Sequence, residues 1–340
     1  MRIVIATVAA IFSFTSAVAS EVNIYSYRQP ELIQPLLDGF TNLTGIKTNV
    51  AFVNKGLVER LKAEGKRSPA DIILTTDISR LTDAKAAGVT QAVKSAELEA
   101  SIPENLRDPD GHWFALTTRA RIIYASKDRV APGEITTYED LTDPKWKGRI
   151  CTRSGTHVYT LGLVSAVIEH IGVEAAEVWL KGVKANLAKE PVGNDRAQVK
   201  SIWAGECDIS LGNTYYMGAM LDDPDQQDWA NAVRIEFPTF ADNGQTHVNI
   251  SGVAMTVSAP NRENALKFME YLGSASAQSI YASAVNEYPA DPDAAISDRV
   301  AGWGSFEADE TDLAAIAAHR AEALKMVERV DFDGALDSDS

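Results

Sequence analysis

The sequence predicts an α/β fold of two lobes joined by extended hinge strands. Two stretches of the chain alternate short apolar strand patterns with helix patterns, which is typical of a sheet covered by helices on both faces. Long extended segments separate these stretches, near residues 113–125 and again from residue 233. No internal repeat or low-complexity linker interrupts this order. The chain is therefore expected to cross between two α/β lobes and return to the first.

In the first stretch, strands are predicted at 22–27, 46–53 and 70–74. A helix after Pro30 carries apolar residues at helical spacing and ends near Gly45, and a second helix covers 56–65. Residues 115–124 form one long extended segment. Strands and helices therefore alternate, which predicts a sheet with helices on both faces.

The second stretch repeats this alternation. Its predicted elements are a strand at 148–151, helices at 159–171 and 173–188, a helix capped by Asn194 or Asp195 with Val199, Ile202 and Trp203 on its apolar side, and a strand at 208–211. A strand at 252–257 and helices at 264–272, 277–284 and 312–329 complete the chain. We therefore predict lobe 1 over 21–120 and 240–340, and lobe 2 over 121–239.

The N-terminus predicts export. Arg2 precedes an apolar stretch over 3–14, and Ala17-Val18-Ala19 fits a signal-peptidase site. Residues 1–20 are therefore predicted to be a signal peptide cleaved near Ala19/Ser20, the alternative being a buried N-terminal strand. No later segment is apolar enough to span a bilayer, so a soluble exported protein is expected.

Charge and cysteine content narrow the class of protein. The chain has 32 basic and 47 acidic residues, so nucleic acid is a poor partner for its surface. Its two cysteines, Cys151 and Cys207, predict one disulfide in an exported protein, the alternative being two buried thiols.

Sequence motifs of common enzymes are missing. The five histidines are scattered, and no pair has the spacing of a His-x-x-x-His metal site. The chain has no P-loop, no GxGxxG after a strand and no GxSxG. We therefore expect a protein that is not an enzyme, and a secreted hydrolase is the least favoured class because no nucleophile with a plausible base is present.

A tyrosine pair is the strongest candidate for chemistry. Tyr215 and Tyr216 follow a short apolar strand, where ligands collect in α/β sheets. In a turn that leads into a helix capped by Asn213 or Thr214, both hydroxyls can lie on one rim. A phenol has a pKa near 10, so a strong Lewis acid such as ferric iron displaces its proton whereas calcium and magnesium do not. The alternative is a pair of ordinary half-buried tyrosines.

A second segment adds a third phenol. The run from Cys151 to Tyr159 also leaves a strand, crosses a polar loop and enters a helix. The predicted disulfide would join this run to Cys207, just before the strand that leads to Tyr215. One bridge would then brace both segments, and three phenolates would balance the charge of one ferric ion.

The chain resembles the periplasmic ferric-iron-binding proteins of ABC-type iron uptake, the Fbp/Fut-type family, over nearly all of the mature chain. The resemblance rests on the runs Tyr25–Pro30, Arg67–Asp71, Trp146–Arg149, Ala204–Asp208 and Gly212–Tyr216. It implies the bilobal type II periplasmic-binding-protein fold, a periplasmic location, a monomer, an ABC permease as partner, and iron ligation by Tyr159, Tyr215 and Tyr216.

The first lobe departs from the family pattern. Gln29 and Pro30 stand where many members have a histidine or a histidine followed by a tyrosine, and Thr76 stands where others have a glutamate. The chain therefore resembles the members that use three tyrosines of one lobe and a synergistic anion such as carbonate or bicarbonate. Tyr27 is a possible substitute ligand whose direction the strand pattern leaves open.

Arginines near the extended segments suit such an anion. Arg28 follows the first strand, and Arg119 and Arg121 lie one strand period apart on one face. A guanidinium can hold carbonate with two hydrogen bonds, so Arg28 and Arg119 are predicted anion-binding residues. The alternatives are ordinary ion pairs for the arginines and, for the whole protein, a binding protein of the same fold for a polyamine, thiamine or a phosphonate.

Overall fold

The computed structural model describes residues 20–53 and 55–336, so the predicted signal peptide lies almost entirely outside the described residues. Within these ranges the chain forms ten strands and fourteen α-helices. The strands are β1 (Glu21–Ser26), β2 (Lys47–Phe52), β3 (Ile72–Thr75), β4 (Thr90–Gln91), β5 (Phe114–Ser126), β6 (Ile150–Cys151), β7 (Ile209–Asn213), β8 (Val233–Glu236), β9 (Val248–Thr256) and β10 (Tyr288–Pro289). None of the helices described is long and apolar enough to cross a membrane.

The helices follow the predicted alternation. They are α1 (Pro30–Thr44), α2 (Leu57–Glu64), α3 (Ile78–Ala86), α4 (Ala96–Ser101), α5 (Val158–Ile171), α6 (Val173–Ala185), α7 (Asp195–Trp203), α8 (Tyr215–Leu221), α9 (Gln227–Ala232), α10 (Arg262–Gly273), α11 (Ala275–Val285), α12 (Asp298–Ala301), α13 (Leu313–Ala318) and α14 (Arg320–Arg329). Gly45 ends α1 in the left-handed conformation at φ 71°, as the sequence predicts for a helix stop.

The first sheet is built around β1. This strand pairs in parallel with β2 and β3, and β3 continues antiparallel to β9. Ile24 of β1 lies opposite Val50 on one side and Ile72 on the other. Ile24 and Ile72 are fully buried, as expected for strands that are covered by helices on both faces.

Strand β5 joins the two sheets. Its first half pairs with β9, ending at Ala120 opposite Val248, and its second half pairs with β7 and β8, starting at Arg121 opposite Asn213. All thirteen residues of β5 are buried. After β8, the chain returns to the first sheet through β9. This confirms the predicted α/β fold of two lobes joined by hinge strands.

The C-terminal part differs from the sequence prediction. The single helix expected over 312–329 is two helices, α13 and α14, that meet at His319. Both pack on α5, and α13 also packs on α3. The break lets each half lie against α5, and the His319 ring forms a hydrogen bond of 2.6 Å with Glu169 of that helix. The lobe boundaries stay a prediction, and these contacts favour placing the C-terminal helices with lobe 2.

Helix α7 agrees with the sequence prediction at its N-terminus and differs from it at its last residue. Asn194 is its N-cap, with the side-chain oxygen accepting a hydrogen bond of 3.0 Å from the Ala197 amide, as predicted. Val199 and Ile202 are buried, but Trp203, predicted on the same apolar side, is 49% exposed. Trp203 is the last helical residue, one position beyond Ile202, and therefore points about 100° away from it.

Candidate metal centre

The tyrosine pair begins helix α8, directly after strand β7. The strand is buried over its five residues and ends at Asn213. Tyr215 and Tyr216 form the first turn of the helix, both half-buried, with ring centroids 4.3 Å apart. Thr214 occupies the N-cap position, as one of the two predicted candidates, but its side chain makes no capping hydrogen bond, and Asn213 instead accepts a hydrogen bond from Arg121.

Tyr159 reaches the pair from another helix. It lies in the first turn of α5, and its hydroxyl oxygen accepts a hydrogen bond of 3.1 Å from the Tyr215 hydroxyl. The fold therefore brings together three phenols from two helix N-termini that are 56 residues apart along the chain. Three oxygen donors on one rim are a suitable arrangement for a hard cation.

The predicted disulfide links the two segments that carry the tyrosines. Cys151 and Cys207 are bonded, with Cα atoms 5.9 Å apart. Cys151 lies in β6, which runs parallel to β7 with Cys151 opposite Ser210. The bridge therefore links the segment that leads to Tyr159 with the segment that enters the strand before Tyr215.

Buried arginines surround the ring of Tyr159. The guanidinium carbon of Arg119 lies 5.6 Å from the ring centroid, and that of Arg153 lies 5.2 Å from it. Arg119 donates a hydrogen bond to the Thr76 carbonyl, and its guanidinium is 3.7 Å from the Asp77 carboxylate. Its Nη1 atom has no hydrogen-bond partner in the described part of the chain. A buried donor without a partner favours an anionic ligand at this place.

Comparison with known proteins places the chain in a family. A family model described as a bacterial extracellular solute-binding protein matches residues 67–307, which is more than half of the chain. The chain belongs to this family. "Iron uptake protein A1" of Synechocystis is 44% identical over 310 residues, which cover 90% of this chain and 86% of that protein.

Solved structures of other family members match the whole described fold. The ferric iron-binding protein A of Mannheimia haemolytica in an open conformation is 49% identical with a TM-score of 0.89, covering 93% of this chain and 100% of that one. FutA of Trichodesmium in complex with iron and citrate is 42% identical with a TM-score of 0.88, covering 92% and 100%. These relatives confirm the resemblance to ferric-iron-binding proteins and the type II bilobal fold.

Arg28 of this solute-binding protein is held by residues of β9, α11 and the segment that follows α11. Its Nε donates to the Tyr281 hydroxyl at 3.0 Å, and its Nη2 donates to Ser251 and Glu287 at 2.8 Å each. Glu287 is fully buried, so this is an internal ion pair with little exposure to solvent. The anion-binding role of Arg28 stays a prediction, and its guanidinium already has three partners.

Tyr27, which follows β1, and Thr76, which follows β3, both form hydrogen bonds with residues of the same part of the chain. The Tyr27 hydroxyl accepts a hydrogen bond of 3.2 Å from the Leu57 amide at the start of α2, and the Arg80 guanidinium lies 4.1 Å from the Tyr27 ring centroid. Thr76 accepts a hydrogen bond of 3.2 Å from Arg80. Gln29 and Pro30 begin α1, where Pro30 is a helix-starting residue without a free amide to satisfy.

His157 is a site residue that the sequence reasoning missed. Its Nδ1 accepts a hydrogen bond of 3.1 Å from the Tyr159 amide, and its ring packs edge-on against the Tyr159 ring at 4.7 Å. Burial, followed by the positive charge of Arg153, lowers the pKa of His157 to about 4. The imidazole is therefore neutral near pH 7 and fixes the first turn of α5. A histidine just before a helix was the available signal, since this position favours side chains that accept from the first amides.

Burial controls the protonation of the tyrosine pair. Desolvation, followed by the charges of Tyr159 and Tyr216, raises the pKa of Tyr215 well above its usual range. Desolvation, followed by the negative charge of Asp195, raises the pKa of Tyr216. Without a metal the phenols of Tyr215 and Tyr216 are therefore neutral, and only a cation that strongly favours phenolate can displace their protons.

Proposed function

We propose that this protein captures ferric iron with the phenolates of Tyr159, Tyr215 and Tyr216 and delivers it to an ABC permease in the inner membrane. The observation that carries the proposal is the meeting of three phenols at the carboxyl end of β7: the Tyr159 and Tyr215 hydroxyls are 3.1 Å apart, and the Tyr215 and Tyr216 rings are tilted against each other with centroids 4.3 Å apart. No cluster of three or more histidine, cysteine or acidic side chains suited to a metal occurs in residues 20–53 and 55–336. Phenolates are hard oxygen donors, which suit Fe³⁺.

Charge balance supports an anion beside the iron. Three buried guanidiniums, those of Arg119, Arg121 and Arg153, face two buried carboxylates, Asp77 and Asp195. The count leaves one positive charge, while three phenolates cancel the charge of Fe³⁺. A synergistic bicarbonate at Arg119 Nη1, with its single negative charge, would offset this charge and complete the coordination of the metal. The Trichodesmium relative is in complex with iron and citrate, so citrate is the second anion to test.

The relatives support the biological setting of the proposal. They are named as iron uptake and ferric iron-binding proteins, and the family is one of extracellular solute-binding proteins. The predicted signal peptide agrees with a periplasmic location. We propose a monomer that acts by binding and by lobe closure rather than by catalysis. The alternative of an organic solute is not favoured, because the named relatives bind iron.

A visible absorption titration tests the proposal. The mature protein is titrated with ferric citrate with and without bicarbonate, because iron–phenolate bonds give a charge-transfer band in the visible range. We expect one band that saturates at one iron per chain, and its loss in Tyr215→Phe and Tyr216→Phe. Tyr271→Phe, a partly buried tyrosine that packs on Phe40 in lobe 1, is the matched control and should keep the band. Absence of a band in the wild-type protein would contradict iron binding.

A further inference from the structure

Asp195 is a buried carboxylate with three partners beside the tyrosines. It is the first residue of α7, and its side chain is fully buried. Its Oδ2 accepts hydrogen bonds of 3.2 Å from Arg121 Nη1 and from the Asn213 amide. Its Oδ1 accepts one of 3.0 Å from Arg153 Nη1. The sequence suggested only a helix-capping role for this position, and Asn194 fills that role instead.

Each partner of Asp195 belongs to a different segment of the site. Arg121 lies in the hinge strand β5 at the point where the strand passes to the second sheet. Arg153 lies in the loop between Cys151 and helix α5, which carries Tyr159. Asn213 is the last residue of β7, two positions before Tyr215. One carboxylate therefore ties together the hinge and both segments that carry the phenols.

We propose that Asp195 is a positioning residue of the iron site, an inference that rests on the proposed function. It holds the Arg153 guanidinium 5.2 Å from the centre of the Tyr159 ring and fixes the end of β7, from which Tyr215 projects. Asp195 itself does not ligate the metal. It sets the separation of the Tyr159 and Tyr215 oxygens before iron arrives, so that little ordering is left for the binding step.

The chemistry of the carboxylate explains why an amide cannot replace it. Both oxygens of Asp195 accept hydrogen bonds from charged donors, and an asparagine has one oxygen and one donor NH₂ group. In Asp195→Asn, one guanidinium would face an N–H group in a buried place. Arg121 and Arg153 would also lose the negative charge between them, and their repulsion in the interior would move them apart. The ring of Tyr159 would move with Arg153.

Asp208 offers a matched control at the opposite end of the same strand. Its carboxylate also bridges two arginines, with the Nε of Arg129 at 2.5 Å and the Nε of Arg149 at 2.6 Å. It precedes β7, whereas Asp195 contacts the strand's last residue. Asp208→Asn therefore removes a partly exposed carboxylate bridge between two arginines, at the end of β7 that is farther from the phenols.

The experiment compares Asp195→Asn and Asp208→Asn in the iron-loaded mature protein. Three quantities are measured: the melting temperature, the rate of iron release to excess EDTA, and the wavelength of the iron–phenolate band. We expect Asp195→Asn to release iron about 10–100-fold faster, as for other residues that orient metal ligands, and to shift the band. Asp208→Asn should keep the wild-type band and release rate even if its melting temperature falls.

Two results would overturn the inference. One is an unchanged band and release rate in Asp195→Asn, and the other is equal acceleration in both variants in proportion to their loss of melting temperature. If Asp195→Asn does not fold, Arg153→Met is measured instead, because it leaves Asp195 paired with Arg121 and should still shift the band. A wild-type protein without a band refutes the iron site itself and is thereby distinguished from a failure of the Asp195 role.

Discussion

Removing the Cys151–Cys207 disulfide should cost a large share of the stability of this protein. Both cysteines are buried, and 56 positions separate them in the sequence. The chain-entropy relation for a loop of this length gives a stabilisation of about 4 kcal/mol near room temperature. Alanine at both positions preserves the apolar surroundings, so the loss of the covalent link dominates the expected change.

Guanidinium unfolding of wild type and of the Cys151→Ala/Cys207→Ala variant measures this difference. Tryptophan fluorescence follows the transition, and linear extrapolation gives the free energy of unfolding in water. A reductant should lower the stability of the wild type to that of the variant and leave the variant unchanged. A difference below about 1 kcal/mol would refute the reasoning, because it would mean that the bridge hardly constrains the unfolded chain.

Two further changes test buried charge. Glu287→Gln should lower the free energy of unfolding by about 3 kcal/mol, because it leaves Arg28 charged and unpaired in the interior, and chemical unfolding measures this loss. A decrease in the free energy of unfolding no larger than that for an exposed ion pair would contradict this prediction. Burial disfavours the charged form of His170, but hydrogen bonds to Asp309 and Asp242 outweigh burial and raise its pKa. Its stabilisation is complete below the unfolded pKa of about 6.5 and is lost as pH rises through the folded value. As pH rises from neutral to alkaline, the melting temperature should therefore fall less steeply in His170→Gln than in the wild type. Equal slopes for the two proteins would contradict the predicted role of His170.

The local patterns of the sequence predicted most of the elements. Alternating strand and helix periodicity located β1, α1, β5 and α5 within a few residues, and Asn194 marked the start of α7 correctly. The tyrosine pair was recognisable because it follows a short apolar strand, and Cys151 and Cys207 were the only possible bridge. These features depend on neighbours within a few positions along the chain, which the sequence displays directly.

Tertiary packing decided the rest of the site. The hydrogen bond between Tyr159 and Tyr215, and the junction of three segments at Asp195, join residues that no periodicity relates. Arg28 follows the first strand as predicted, yet its partners come from the other end of the chain. The sequence by itself therefore determined which side chains were available near strand ends. The packing of the two sheets decided which of them meet, because a buried charge takes the partner that the surrounding fold brings within hydrogen-bond distance.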